Sequence, residues 1–131
     1  MDSTRTKNSL QKIIADFQDK KTDILIGTQM VAKGLDFENV TLIGVINADT
    51  LLNYPDFRAF ERSFQLLSQV SGRAGRREKQ GKVCIQAYDD QHRIIRQVIE
   101  NKYLEMYNDE LTERRQFLYP PFTRLIFINI K

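Results

Sequence analysis

A chain of 131 residues, 41% hydrophobic and 28% charged, is long enough for one domain with a buried core. Its formal net charge of +3 permits an anionic partner without demanding one, because specific nucleic-acid surfaces concentrate their charge. A single cysteine, Cys84, and a single histidine, His92, exclude a disulfide framework and cannot build a metal site between them. Nothing reads as a signal peptide or a membrane span, so a cytoplasmic protein with no membrane partner is expected.

Residues 1–8 are polar. Ser9 is placed to cap a helix in which Leu10, Ile13, Ile14 and Phe17 share one face. Asp23-Ile24-Leu25-Ile26-Gly27 predicts a strand apolar enough to be buried on both faces. It opens into Thr28-Gln29-Met30-Val31-Ala32-Lys33-Gly34-Leu35-Asp36-Phe37. Open α/β sheets place ligands beyond the carboxyl ends of such strands. Thr28 and Gln29 there offer short hydrogen-bonding groups, and Asp36 offers an acceptor for a ribose hydroxyl. The same residues also suit a plain strand-to-helix connection capped by Thr28.

Residues 40–47 predict a second apolar strand, and the crossover between the two strands implies a parallel sheet. Residues 48–55 read as a loop, with Asp49 at the carboxyl end of the strand. A long helix over 56–76 follows, with Phe60, Phe64, Leu67 and Val70 on its apolar stripe and Arg58, Glu61 and Arg62 as surface charges. Residues 82–88 alternate like a third strand, with Cys84 expected as a buried small hydrophobe. Beyond Asp89 the composition shifts. Ile94, Ile95, Val98 and Ile99 mark one short helix, and Tyr103, Leu104, Tyr107 and Leu111 another. Tyr119-Pro120-Pro121-Phe122 must end it, since proline lacks the donor a helix interior needs. Residues 125–130 predict a terminal strand, whose lack of a following partner suggests truncation.

The end of the long helix concentrates the chemistry. Arg73 and Arg76 each follow a glycine, Gly72 and Gly75, and their spacing puts both guanidinium groups on one helix face. Two such cations fit the charge that spreads over a transferring phosphoryl group. The bland alternative is a solvated basic helix end, with Arg77 and Lys79 meeting the helix dipole. No Gly-x-x-x-x-Gly-Lys-Ser/Thr occurs, so a nucleotide site here would be half of one.

Residues 28–37 resemble motif V of the superfamily 2 helicases, and Gln69-Val70-Ser71-Gly72-Arg73-Ala74-Gly75-Arg76 resembles motif VI. Tyr54-Pro55-Asp56-Phe57-Arg58-Ala59-Phe60-Glu61-Arg62, with Glu113-Arg114-Arg115 and Tyr119-Pro120-Pro121-Phe122, is similar to the bacterial primosomal replication-restart helicases within that superfamily. The likeness runs from residue 1 to about 122. It implies an α/β fold, with part of a second RecA-like motor domain, a parallel sheet flanked by helices, over 1–88. A helical extension and the first strand of a truncated C-terminal domain would occupy 89–131.

The implied activity is ATP-dependent 3′ to 5′ unwinding of DNA in replication restart and primosome assembly. Arg73 and Arg76 would be arginine fingers, with Gln69 at the phosphate or its attacking water. Gly34, Asp36 and Gly72 would bind nucleotide; Thr28, Gln29 and Lys33 would track the DNA. ATP and Mg²⁺ would serve the full-length protein, with Mg²⁺ held mainly by the other motor domain, and zinc only in a segment upstream. Forked and single-stranded DNA, primosome proteins and single-stranded-DNA-binding proteins are the implied partners, in the cytoplasm at the nucleoid. Without a phosphate loop or acidic motif, the chain alone is expected to be inactive. Two alternatives remain: a non-enzymatic basic module acting through Arg73, Arg76, Arg77 and Lys79, and the same motor domain from another DNA or RNA helicase.

Overall fold

A computed structural model of the chain describes residues 7–28, 40–72, 81–126 and 128. Helix α1 spans Lys7–Gln18, with Leu10, Ile13, Ile14 and Phe17 partly buried along one face. Ser9 lies inside this helix rather than capping it. Residues 23–27 carry no strand, and Ile24 and Ile26 are 78% and 86% exposed, contrary to the expectation of a doubly buried strand. A strand exists only through its ladder partner, and the only pair among the described residues lies further along the chain.

That pair is β1, Leu42–Val45, and β2, Lys82–Ile85, parallel and in the register Leu42↔Lys82 to Val45↔Ile85. The sheet is parallel as expected, but it joins the second and third predicted strands and not residues 23–27 to the second, and each strand is shorter than its apolar run. Ile43, Val45, Val83 and Ile85 share the partly buried face. Leu42, Gly44 and Cys84 lie on the other, which corrects the reading of Cys84: it is exposed, because strand alternation turns it away from its buried neighbours.

The residues expected as a loop after β1 include one helical turn, α2, Asp49–Leu52. Asn47 reverses the chain before it with φ of 58°, a conformation asparagine tolerates. Helix α3, Ala59–Ser71, begins three residues later than expected. The cause is Asp56, whose carboxylate accepts from Arg58 N at 2.8 Å while its carbonyl accepts from Ala59 N at 2.9 Å.

Helix α4, Arg93–Ile99, starts under a side-chain cap, with His92 Nδ1 accepting from Ile94 N at 3.2 Å. Helix α5, Tyr103–Gln116, ends before the Tyr-Pro-Pro-Phe segment as predicted. Its packed face is not the predicted one. Met106 and Glu110 are buried, whereas Tyr103, Leu104 and Tyr107 are largely exposed. Arg93 explains the inversion, since its pairing with Glu110 lets a carboxylate face α4.

One core joins these parts. Leu52, Phe64, Leu67, Ile94, Ile95, Val98 and Met106 are its buried members, and Val45 and Ile85 of the sheet pack against them. Residues 125, 126 and 128 carry no strand and are exposed, for the same want of a ladder partner as residues 23–27.

Candidate functional site

Helix α3 brings the core and the chemistry together. Phe64 and Leu67 anchor it, and Ser63 Oγ returns a 2.7 Å bond to Ala59 O. The face opposite the anchors carries Arg62, Gln65 and Gln69 to solvent. With Thr50 and Tyr54 they line an open groove of about 680 Å³ between α2 and α3. Gln69 sits at its end, one turn before Gly72.

Gly72 closes the helix in ordinary right-handed geometry, φ −69° and ψ −3°. A Cβ there would meet Ser68 O at 3.5 Å, a normal contact, so this backbone does not itself require glycine. Arg73 and Arg76 lie outside the described residues, as do Gln29, Lys33, Gly34 and Asp36. Thr28 is described and exposed. Of the predicted site, the structure thus brings together Gln69 and Gly72.

At the carboxyl ends of the two parallel strands, Asp49 Oδ2 accepts from Tyr88 N at 3.0 Å. This clasp fixes the two chain exits beside each other, where a ligand of such a sheet would lie. Asp56 is the other acid near α3. Its hydrogen bond from Arg58 N, aided by Arg62 at 2.7 Å, holds its carboxyl below the usual carboxylate range.

The charges around α5 are more enclosed. Arg114 donates to Glu61 at 2.6 Å, and Arg93 donates to Glu113 at 2.7 Å and Glu110 at 3.5 Å. Burial pushes the Glu110 carboxyl up, the neighbouring Glu113 carboxylate adds to this, and Arg93 and Arg114 oppose it. Glu61 is therefore not part of a surface network with Arg58 and Arg62; it ties α3 to α5. No adjacency in the sequence announces a pair separated by 53 residues. Among the described residues no group of three His, Cys, Asp or Glu side chains could hold a metal ion, and no helix is long and apolar enough to cross a membrane.

Comparison with known proteins places this arrangement. The family described as the helicase conserved C-terminal domain matches residues 1–78, and the chain belongs to that family. Within it, the chain is similar to the replication restart protein PriA. It is 49% identical to PriA of Bacillus subtilis (strain 168) over 130 residues, 99% of this chain and 16% of that protein. It is 46% identical to PriA of Synechocystis sp. over 128 residues, 98% of this chain and 15% of that protein. It is 44% identical to PriA of Chlamydia pneumoniae over 125 residues, 95% of this chain and 17% of that protein. The chain spans 15–17% of the length of these relatives.

Proposed function

We propose that this chain is the arginine-finger half of the ATP site of a replication-restart DNA helicase, together with part of its DNA track. The observation that carries this reading is the 49% identity to replication restart protein PriA over 99% of the chain. Under it, residues 1–88 are part of a second RecA-like domain and 89–131 an extension, whose helices α4 and α5 pack on the same core as α3.

ATP lies between this domain and a second one bearing a phosphate loop. Water attacks the γ-phosphorus, the bond to the bridging oxygen breaks, and ADP and phosphate leave. Arg73 and Arg76 neutralise charge developing on the phosphoryl oxygens, and Gln69 orients the water or the phosphate. Guanidinium groups suit this better than ammonium groups, because their planar forks donate to two oxygens at once. Gly34, Asp36 and Gly72 border the nucleotide; Thr28, Gln29 and Lys33 contact the DNA backbone.

Mg²⁺, when bound, neutralises the β- and γ-phosphate oxygens. We assign it no ligand in this chain, since among the described residues no group of three His, Cys, Asp or Glu side chains could hold a metal ion. Closing of the cleft couples the two sites, because domain arrangements with different affinities for ATP then differ in their affinity for DNA. Polarity of unwinding, 3′ to 5′, and the primosome and single-stranded-DNA-binding partners rest on the family likeness, as does a cytoplasmic location.

The test is DNA-stimulated ATP hydrolysis by the full-length protein carrying Arg76→Ala. Turnover should fall by about 10³-fold or more while ATP and DNA affinities hold within a few-fold. Turnover that survives, or falls only in step with salt-sensitive DNA affinity, contradicts the motor reading and favours a basic binding module.

A further inference from the structure

Two segments carried family likeness without any chemistry attached: residues 54–62 and residues 113–122. They meet in space. Arg114 Nη2 donates to Glu61 Oε2 at 2.6 Å, and the same guanidinium stands over the Phe57 ring, 5.3 Å from its centroid. Phe57 stacks in turn on Tyr119, with centroids 4.9 Å apart and planes 14° apart. Tyr119 is fixed to the helix it follows, since its N–H donates to Arg114 O at 2.7 Å.

A second clamp lies one turn away, where the Arg93 guanidinium covers Phe60 at 4.7 Å and holds Glu113 at 2.7 Å. The side chain of Arg114 is only 17% exposed, and its Nε is buried with no partner among the described residues. So enclosed a cation leaves Glu61 as its charge partner. The first turn of α3 and Phe57 just before it are therefore gripped by the end of α5 and by Arg93 of α4.

The far end of the same helix carries Gln69 and closes at Ser71 and Gly72, which Arg73 follows in the sequence. Eight residues of helix separate Glu61 from Gln69, roughly 12 Å of a stiff rod. A tilt at the gripped end moves the other end. Reacting groups misplaced by about 1 Å can cost about 10²-fold in rate.

We propose that Glu61 and Arg114 are positioning residues for the nucleotide chemistry: their ion pair, backed by the Phe57–Tyr119 stack, sets the orientation of the helix that carries Gln69 and precedes the two arginines in the sequence. The extension is then a brace on turnover. This rests on the helicase reading above.

The experiment measures DNA-stimulated ATP hydrolysis by the full-length protein as wild type, Glu61→Gln, Arg114→Gln, the double variant, Arg114→Lys and Arg76→Ala. Each single Gln variant should lower kcat about tenfold or more, with KM for ATP and DNA affinity within about threefold. The double variant should be no slower than the slower single, since the two side chains act as one unit. Arg114→Lys keeps the charge that pairs with Glu61 but not the planar group over Phe57, so its kcat should lie between those of wild type and Arg114→Gln. The proposal is overturned by single-variant kcat values within about twofold of wild type, by losses that multiply in the double, or by KM rising as kcat falls. Glu61→Gln is isosteric and partly exposed, so its kcat decides the matter even where Arg114→Gln does not fold. A wild-type protein that hydrolyses no ATP overturns the helicase reading and the proposal together. A Glu61→Gln kcat within about twofold of an active wild type, with none in Arg76→Ala, overturns the proposal alone.

Discussion

Leu118 has φ of 54°, a left-handed conformation that suits glycine and strains a leucine. It closes α5: Leu118 N donates to Arg115 O at 3.4 Å and Tyr119 N to Arg114 O at 2.7 Å, the paired bonds of a Schellman turn. Asn101 closes α4 and Lys20 closes α1 in the same way. None of the three is glycine, so no glycine marked these helix ends in the sequence, and only the prolines after α5 announced a stop. The Leu118 side chain is 65% exposed, so its removal loses little packing. Leu118→Gly should therefore stabilise the fold by about 0.5–1 kcal/mol in urea denaturation. A loss of stability would mean that the exposed side chain contributes more than the strain costs.

Glu110 makes a second prediction at this scale. Its folded carboxyl titrates above the ordinary 4.5, through burial first and the Glu113 carboxylate next. The folded protein thus keeps a proton that the unfolded chain has released. That contribution is complete below the unfolded value and is lost as pH rises through the raised folded value. Relative to Glu110→Gln, the wild type should lose stability as pH rises above the ordinary 4.5, as read from paired urea titrations. A difference between the two proteins that does not change with pH contradicts this account of Glu110.

At the scale of elements, what could be read from the sequence was local. The spacing of Phe60, Phe64 and Leu67 defined α3, and Ile94, Ile95 and Val98 defined α4, because a helix satisfies its own backbone within the window being read. Residues 23–27 and 125–130 look equally strand-like, but a ladder partner can come from anywhere in a chain and leaves no local mark. Helix α5 failed differently. Counting apolar residues put Tyr103, Leu104 and Tyr107 inward, whereas Met106 and Glu110 pack, because Arg93 supplies a counter-charge from another helix. The candidate site divides along the same line. Gln69 and its neighbours in the sequence drew notice as a short contiguous pattern that resembles motif VI. The junction of Phe57, Glu61, Arg114 and Tyr119 was visible only as two unexplained stretches, since its meaning is their contact.

For the whole molecule, a core shared by Leu52, Leu67, Ile95 and Met106 means that helices on both sides of residue 88 support α3. The helix that carries Gln69 therefore shares its core with the sheet through Val45 and Ile85 and with the extension through Ile95 and Met106. Such a mounting suits a group that must reach a phosphoryl transition state in one geometry. The central claim is that Arg76 acts on that transition state and not as one cation in a patch, and lysine separates the two. We would measure kcat for DNA-stimulated ATP hydrolysis by the full-length protein with Arg76→Lys, together with its affinities for ATP and DNA. The account predicts a loss of about 10²-fold or more in kcat with both affinities nearly unchanged, because an ammonium cannot reproduce the planar fork. A lysine variant that turns over within a few-fold of wild type would contradict it.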